Sequence, residues 1–90
     1  MPYIPQEDRK LYEPELSRLR KNIGLVTKKG ELTYLVYSLG LGFMQTNPNY
    51  QRISDAVGAL NDAAEELRRR YLIPYEDVKI EQNGDVWNFI

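Results

Sequence analysis

Between Asn49 and Tyr71 the apolar positions are Ile53, Val57, Leu60, Ala64, Leu67 and Tyr71, separated by 4, 3, 4, 3 and 4 residues. That rhythm is the apolar seam of an α-helix. Asp55, Asp62, Glu66 and Arg69 fall on its other side. The pattern predicts a long amphipathic helix whose seam another part of the chain must cover. Asn49 is placed to cap its start, because a short polar side chain there can accept from the first free backbone N–H groups.

The stretch from Gly30 or Glu31 to Gln45 is richer in apolar residues. Leu32, Leu35, Val36, Leu39 and Phe43 form one face at helical spacing, and Tyr34, Tyr37, Leu41 and Met44 form the opposite one. A helix apolar on both sides belongs between two layers. The first layer is expected to be the seam of the long helix. The link Thr46-Asn47-Pro48-Asn49 is tight and rich in turn formers, so the two helices are expected to pair as an antiparallel hairpin.

Upstream, Pro2 and Pro5 predict an extended start, with a weak helical turn from Glu7. A helix entered at Pro14 carries Leu16, Leu19 and Ile23, with Tyr12 one turn earlier. Gly24 is expected to close it in a left-handed cap, with Leu25 touching back, and residues 25–30 then form a connection. This thin stripe is too small to cover the second face of the following helix completely. The second layer is therefore either this stripe or another protein chain.

Downstream, Pro74 is expected to end or kink the long helix. Residues 75–90 admit two folds. Either Pro74 opens a short helix that Asn83-Gly84 closes, or Asn83-Gly84 is a hairpin turn setting Ile80 opposite Trp87 and Val78 opposite Phe89. The acids and Gln82 tip the choice toward the helix. Val86, Trp87, Phe89 and Ile90 are expected to dock, on their own core or on a neighbouring subunit. The fold class is thus mainly all-α: three helices in one domain over 1–90, a long central antiparallel hairpin, and a short C-terminal helix or β-hairpin.

The chain has 90 residues and no Cys or His. Disulfides, Cys/His zinc sites and His-activated nucleophiles are excluded. Net charge is −1 but unevenly spread: residues 1–30 carry seven cations and four acids, residues 75–90 one and four. A near-neutral total argues against a dedicated nucleic-acid binder. Arg18, Arg20 and Lys21 read as a solvated helix face. The start lacks the basic and apolar runs of a secretory signal, and no apolar stretch spans a membrane, so a soluble, cytoplasmic protein is expected.

The ends also carry a resemblance. Met1-Pro2-Tyr3-Ile4-Pro5-Gln6, Pro74-Tyr75-Glu76-Asp77 with Lys79, and Asn83-Gly84-Asp85-Val86 resemble a family of short uncharacterised proteins from bacteria, archaea and their viruses. The likeness extends to Gly30-Glu31-Leu32 with Tyr34, and to Leu60, Ala63, Glu66, Arg69 and Arg70. It implies a small, mostly helical protein of cellular or phage origin, and assigns no activity. Trp87 stands where such proteins more often carry Tyr.

Three functions compete. All-helical nucleotide pyrophosphohydrolases hold Mg²⁺ with acids on two facing helices. Here Asp62, Glu65 and Glu66 share one helix, and the facing helix offers only Glu31; Mg²⁺ needs convergent carboxylates. Glu76, Asp77 and Asp85 are better explained by capping and solvation. Nucleic-acid binding would use the basic first helix and Arg68–Arg70 with Tyr71, but Glu65–Arg69 and Glu66–Arg70 already form i,i+4 pairs.

The favoured reading is a non-enzymatic interaction module without cofactor or metal, self-associating as a dimer. Tyr34, Tyr37, Leu41, Met44, Gly58, Trp87 and Phe89 are its candidate interface. Gly40 and Gly42 are expected to mark a close helix approach or a kink. Gly58 lies away from the seam: it is either a contact with a partner helix or simply tolerated.

Overall fold

The structure, a computed structural model, describes residues 2–26 and 28–87, apart from the side chains of Leu25 and Val26. Every regular element among them is helical: α1 (Gln6–Arg9), α2 (Glu13–Val26), α3 (Lys29–Met44), α4 (Tyr50–Leu67), a π-helical turn (Arg68–Leu72) and α5 (Ile73–Asn83). No strand occurs among the described residues, so the short-helix alternative for the C-terminal segment holds and the hairpin is discarded.

The long helix starts where its cap was expected. Asn49 is extended, and its side-chain oxygen accepts from the Arg52 N–H at 2.9 Å. Glu31 plays the mirror part for α3, accepting the Lys28 N–H at 2.8 Å, which is half of a capping box. Gly84, with φ 85 and ψ 149, closes α5 and sends its N–H back to the Ile80 carbonyl. Among the described residues it alone has positive φ.

Gly24 corrects an expectation. It does not cap: α2 runs through it to Val26. Gly24 takes no left-handed exit, and the helix continues for two more residues.

Pro74 neither ends nor sharply separates the long helix. A proline ring inside an α-helix strikes the carbonyl four residues back and leaves it without a donor. Here the preceding turn widens, and the Ile73 N–H bonds to the Arg68 carbonyl, five residues back. The extra residue resets the carbonyls before Pro74, which enters α5 in its first turn, where no N–H is needed. α4, the π turn and α5 therefore form one helical rod from Tyr50 to Asn83.

α3 and the rod pair as the expected hairpin, but on a different line. Among the described residues Ala56 alone is buried, at 5 % exposed, and Leu60 is half-buried beside Gly40. A Cβ on Gly40 would sit 3.5 Å from Leu60 Cδ1. The smallest side chains thus set the contact, since they let the helix axes come closest. Arg52 seals the loop end: its Nε donates to the Phe43 carbonyl at 2.8 Å, and its guanidinium lies 3.5 Å from the Phe43 ring centroid.

Of the seam, Leu60 enters this contact and most of the rest stays open. Val57 is 55 % exposed, and Ile53, Leu67 and Tyr71 are exposed with it. Both faces of α3 are open too, with Leu39 at 62 % and Tyr37 at 64 %. The chain exposes 8438 Å², where a compact monomer of 10.5 kDa exposes roughly 5,400 Å². Its radius of gyration is 17.4 Å, against roughly 12 Å for a compact domain of this length.

Candidate functional site

Two features of the surface stand out, one polar and one apolar. The polar one joins the two ends of the sequence. Pro2 and Pro5 hold residues 2–5 extended, and this segment lies against the rod around the π turn. Arg70 Nη1 donates to the Tyr3 hydroxyl at 3.0 Å, and the Tyr3 hydroxyl also hydrogen-bonds Glu66. Glu66 in turn accepts from both Arg69 Nε, at 2.7 Å, and Arg69 Nη2, at 2.9 Å. Arg9 Nε ties down the Ile4 carbonyl at 2.9 Å.

The electrostatics follow from this chain of contacts. The Glu66 side chain is only 15 % exposed. The Arg69 fork, then the Tyr3 hydroxyl, hold its carboxyl down to about 2. The same bond raises Arg69, and the Tyr3 contact raises Arg70. Glu65 takes Arg68 at 3.2 Å. All three arginines are thus engaged within the chain.

Their partners differ from expectation. The pairs are Glu65–Arg68 and Glu66–Arg69, three residues apart, and not Glu65–Arg69 and Glu66–Arg70. Both spacings bring side chains together on a helix. Tyr3 decides between them by claiming Arg70, a contact across 67 residues that no local spacing reveals.

Acids do not converge into a metal site: no group of three His, Cys, Asp or Glu suited to a metal occurs among the described residues. Asp62, Glu65 and Glu66 border a shallow hollow together with Arg68 and Arg69, so cations are interleaved with the carboxylates. Glu31 is spent on the α3 cap. On α2, Arg20 pairs with Glu13 at 2.6 Å, while Arg18 and Lys21 are exposed.

The apolar feature is larger. A groove of about 450 Å³ runs along the rod, lined by Ala64, Leu67, Arg68, Tyr71, Leu72 and Tyr75. A second, of about 510 Å³, opens between α2 and α3, where Leu19 and Ile23 face Tyr34 and Leu35. Of the candidate interface residues, Tyr34, Tyr37 and Leu41 are exposed on α3 and Met44 is half-buried near the hairpin loop. Gly58 has open space where a Cβ would stand, so nothing within the chain requires a glycine there. Gly42 is likewise open.

Val86 and Trp87 are largely exposed, so of the two expectations, docking on their own core or on a neighbouring subunit, the first does not hold for them; Phe89 and Ile90 lie outside the described residues. Ile53, Val57, Leu67 and Tyr71 belong to the open surface although the sequence assigns them to the interior. For Ile53 and Val57, roughly 60° and 100° round the helix from Ala56, the exposure follows from the offset contact, which hydrophobic spacing alone does not locate.

No helix among the described residues is long and apolar enough to cross a membrane. A family model described as "Domain of unknown function (DUF6899)" matches residues 1–86. No curated protein and no solved structure matches the chain. Four residues that carry the resemblance to an uncharacterised family, Tyr3 with Glu66, Arg69 and Arg70, are the ones that meet at the polar contact.

Proposed function

We propose, for a chain that belongs to the family described as a domain of unknown function (DUF6899), a role as a non-enzymatic helical interaction module that works as a self-associated pair in the cytoplasm. The observation that carries this reading is the surface left uncovered. Roughly 3,000 Å² more is exposed than a compact monomer of this mass would show. Two such chains carry roughly 6,000 Å² of excess, enough to supply the about 2,000–5,000 Å² or more that obligate pairs bury across both partners. At about 25 cal/mol per Å² of apolar area, leaving such faces in water forgoes a large part of the drive to fold. A second copy is the simplest source of matching apolar surface, and two-fold pairing is the commonest form.

The nucleic-acid alternative has weaker support. Arg68, Arg69 and Arg70 are occupied by Glu65, Glu66 and Tyr3, and phosphate would have to displace those contacts. The pyrophosphohydrolase alternative lacks facing carboxylates, for the reasons given by Glu31 and the interleaved arginines.

The test is Leu39→Glu, made separately from Leu67→Glu, with mass followed by sedimentation over a dilution series. In an isolated chain both sites are exposed, so each change would alter stability by only about 0.5 kcal/mol. In a pair, at least one puts an unpartnered charge at the interface and raises the dissociation constant tenfold or more. Wild-type mass unaffected by either change would count against the reading.

A further inference from the structure

The seam of α4 has the spacing of a coiled-coil strip as well as of a simple amphipathic helix. Ile53, Leu60 and Leu67 recur every seven residues, and Val57, Ala64 and Tyr71 recur every seven, offset by four. These are d and a positions of a heptad pattern that runs regularly through α4 to Leu67, with Tyr71 in the widened turn and the least regular of them. Leu60 is half-buried against α3, and Ile53, Val57, Ala64, Leu67 and Tyr71 are exposed. Within α4 the strip spans roughly 20–100° round the helix from Ala56, on the α3 side, with Ala64 at about 80°. A quarter turn between two contact faces is the geometry of a helix in a four-helix bundle. The rod thus has one neighbour in place and an open position for a second.

We propose that the second copy of this chain fills that position by laying its own rod antiparallel along this strip, so that two α3–rod hairpins close a four-helix bundle about a two-fold axis near Asn61 and Asp62. The inference rests on the self-association proposed above and adds its face, direction and register.

Side-chain size fixes the direction. In the antiparallel register Ile53 of one copy meets Tyr71 of the other, Val57 meets Leu67, and Leu60 meets Ala64. Each layer then sets a larger residue against a smaller one, as close packing requires. A parallel pair would set Ala64 against Ala64, leaving a void, and Tyr71 against Tyr71, which crowds.

The register follows from the strip's length. Sliding the copies by one heptad brings Leu67 against Tyr50 or Val57 against Pro74 and loses a matched layer; the centred register keeps all three. It leaves Glu66 and Arg69 at the c and f positions, away from the strip, while Arg70, at g, flanks it and lies over the Tyr71 ring.

The chain has no Cys, so single thiols report the geometry cleanly. Val57→Cys and Leu67→Cys are prepared separately, mixed, re-equilibrated and oxidised. Antiparallel pairing predicts a disulfide-linked dimer of the two variants in the mixture and little linkage in either variant alone. Equal positions lie roughly 15 Å apart across the axis, and a disulfide needs about 7 Å or less between Cα atoms. Ile53→Cys mixed with Tyr71→Cys repeats the test at the outer layer and guards against local misfolding of one variant. Self-linking of Val57→Cys alone would overturn the inference in favour of parallel pairing. A dimeric mass with neither mixture linking would overturn this face while leaving self-association standing. A monomeric mass would overturn both.

Discussion

Tyr3 and Arg70 are 67 residues apart in the chain and joined by a 3.0 Å hydrogen bond, phenol oxygen accepting from the guanidinium. Through Glu66 the same hydroxyl reaches Arg69. The extended N-terminal segment is thereby fastened beside the turn that lets the rod pass Pro74. Tyr3→Phe keeps the ring and removes the hydroxyl. The Glu66 carboxyl should then titrate above its present value of about 2, while staying below the ordinary range because the Arg69 fork remains. Carboxyl chemical shifts through a pH titration measure this, and residues 2–12 should become more open to proteolysis.

The acid response has a definite sign. Glu66 is held at about 2 in the folded chain, against an ordinary 4.5. A depressed carboxyl contributes stability that is fully present above 4.5 and is lost as pH falls toward 2. Melting temperature should therefore drop across that window, and Glu66→Gln should be less stable at neutral pH with a flatter acid limb. An unchanged limb in Glu66→Gln would assign the acid response to other carboxylates.

Two glycines should respond in opposite directions. Gly58 sits mid-helix with open space around its missing Cβ, so Gly58→Ala should gain up to about 1 kcal/mol of helix propensity. Gly84 holds φ 85 and ψ 149, a region nearly reserved for glycine, so Gly84→Ala should cost about 1–3 kcal/mol. Chemical denaturation of both variants checks the pair of signs. Destabilisation by Gly58→Ala would instead mark a helix of the second copy pressed against that site.

Asn49→Ala should cost about 1 kcal/mol, and Asn49→Asp should restore most of it, because only the side-chain acceptor for the Arg52 N–H matters. Thermal unfolding of the two variants suffices.

The helices, the Asn49 cap, the Gly84 exit and the α3–α4 hairpin were legible because each is written in neighbouring residues. Apolar spacing, a short polar cap and a glycine after Asn83 act within a turn or two. What escaped depends on distant or cooperative choices. Pro74 reads as a stop or a kink until the preceding turn is known to widen, and the i,i+3 pairs at Glu65 and Glu66 depend on Tyr3. The burial of Ala56 in place of Val57 is of the same kind. Spacing identifies an apolar sector about 100° wide, but the smallest side chains within it, Ala56 and Gly40, decide which edge takes the neighbour. The open strip at Ile53, Val57, Leu67 and Tyr71 lies apart from the candidate interface residues on α3, Tyr34, Tyr37 and Leu41, which are exposed as well.

The molecular mass in solution bears on this most directly, by size exclusion with light scattering over roughly a hundredfold range of concentration. If the uncovered faces of α3 and the rod are completed by a second copy, the mass is about 21 kDa, twice the 10.5 kDa of one chain, and the pair dissociates only on strong dilution. A sharp 10.5 kDa species at every concentration, still helical and cooperatively folded, would contradict it.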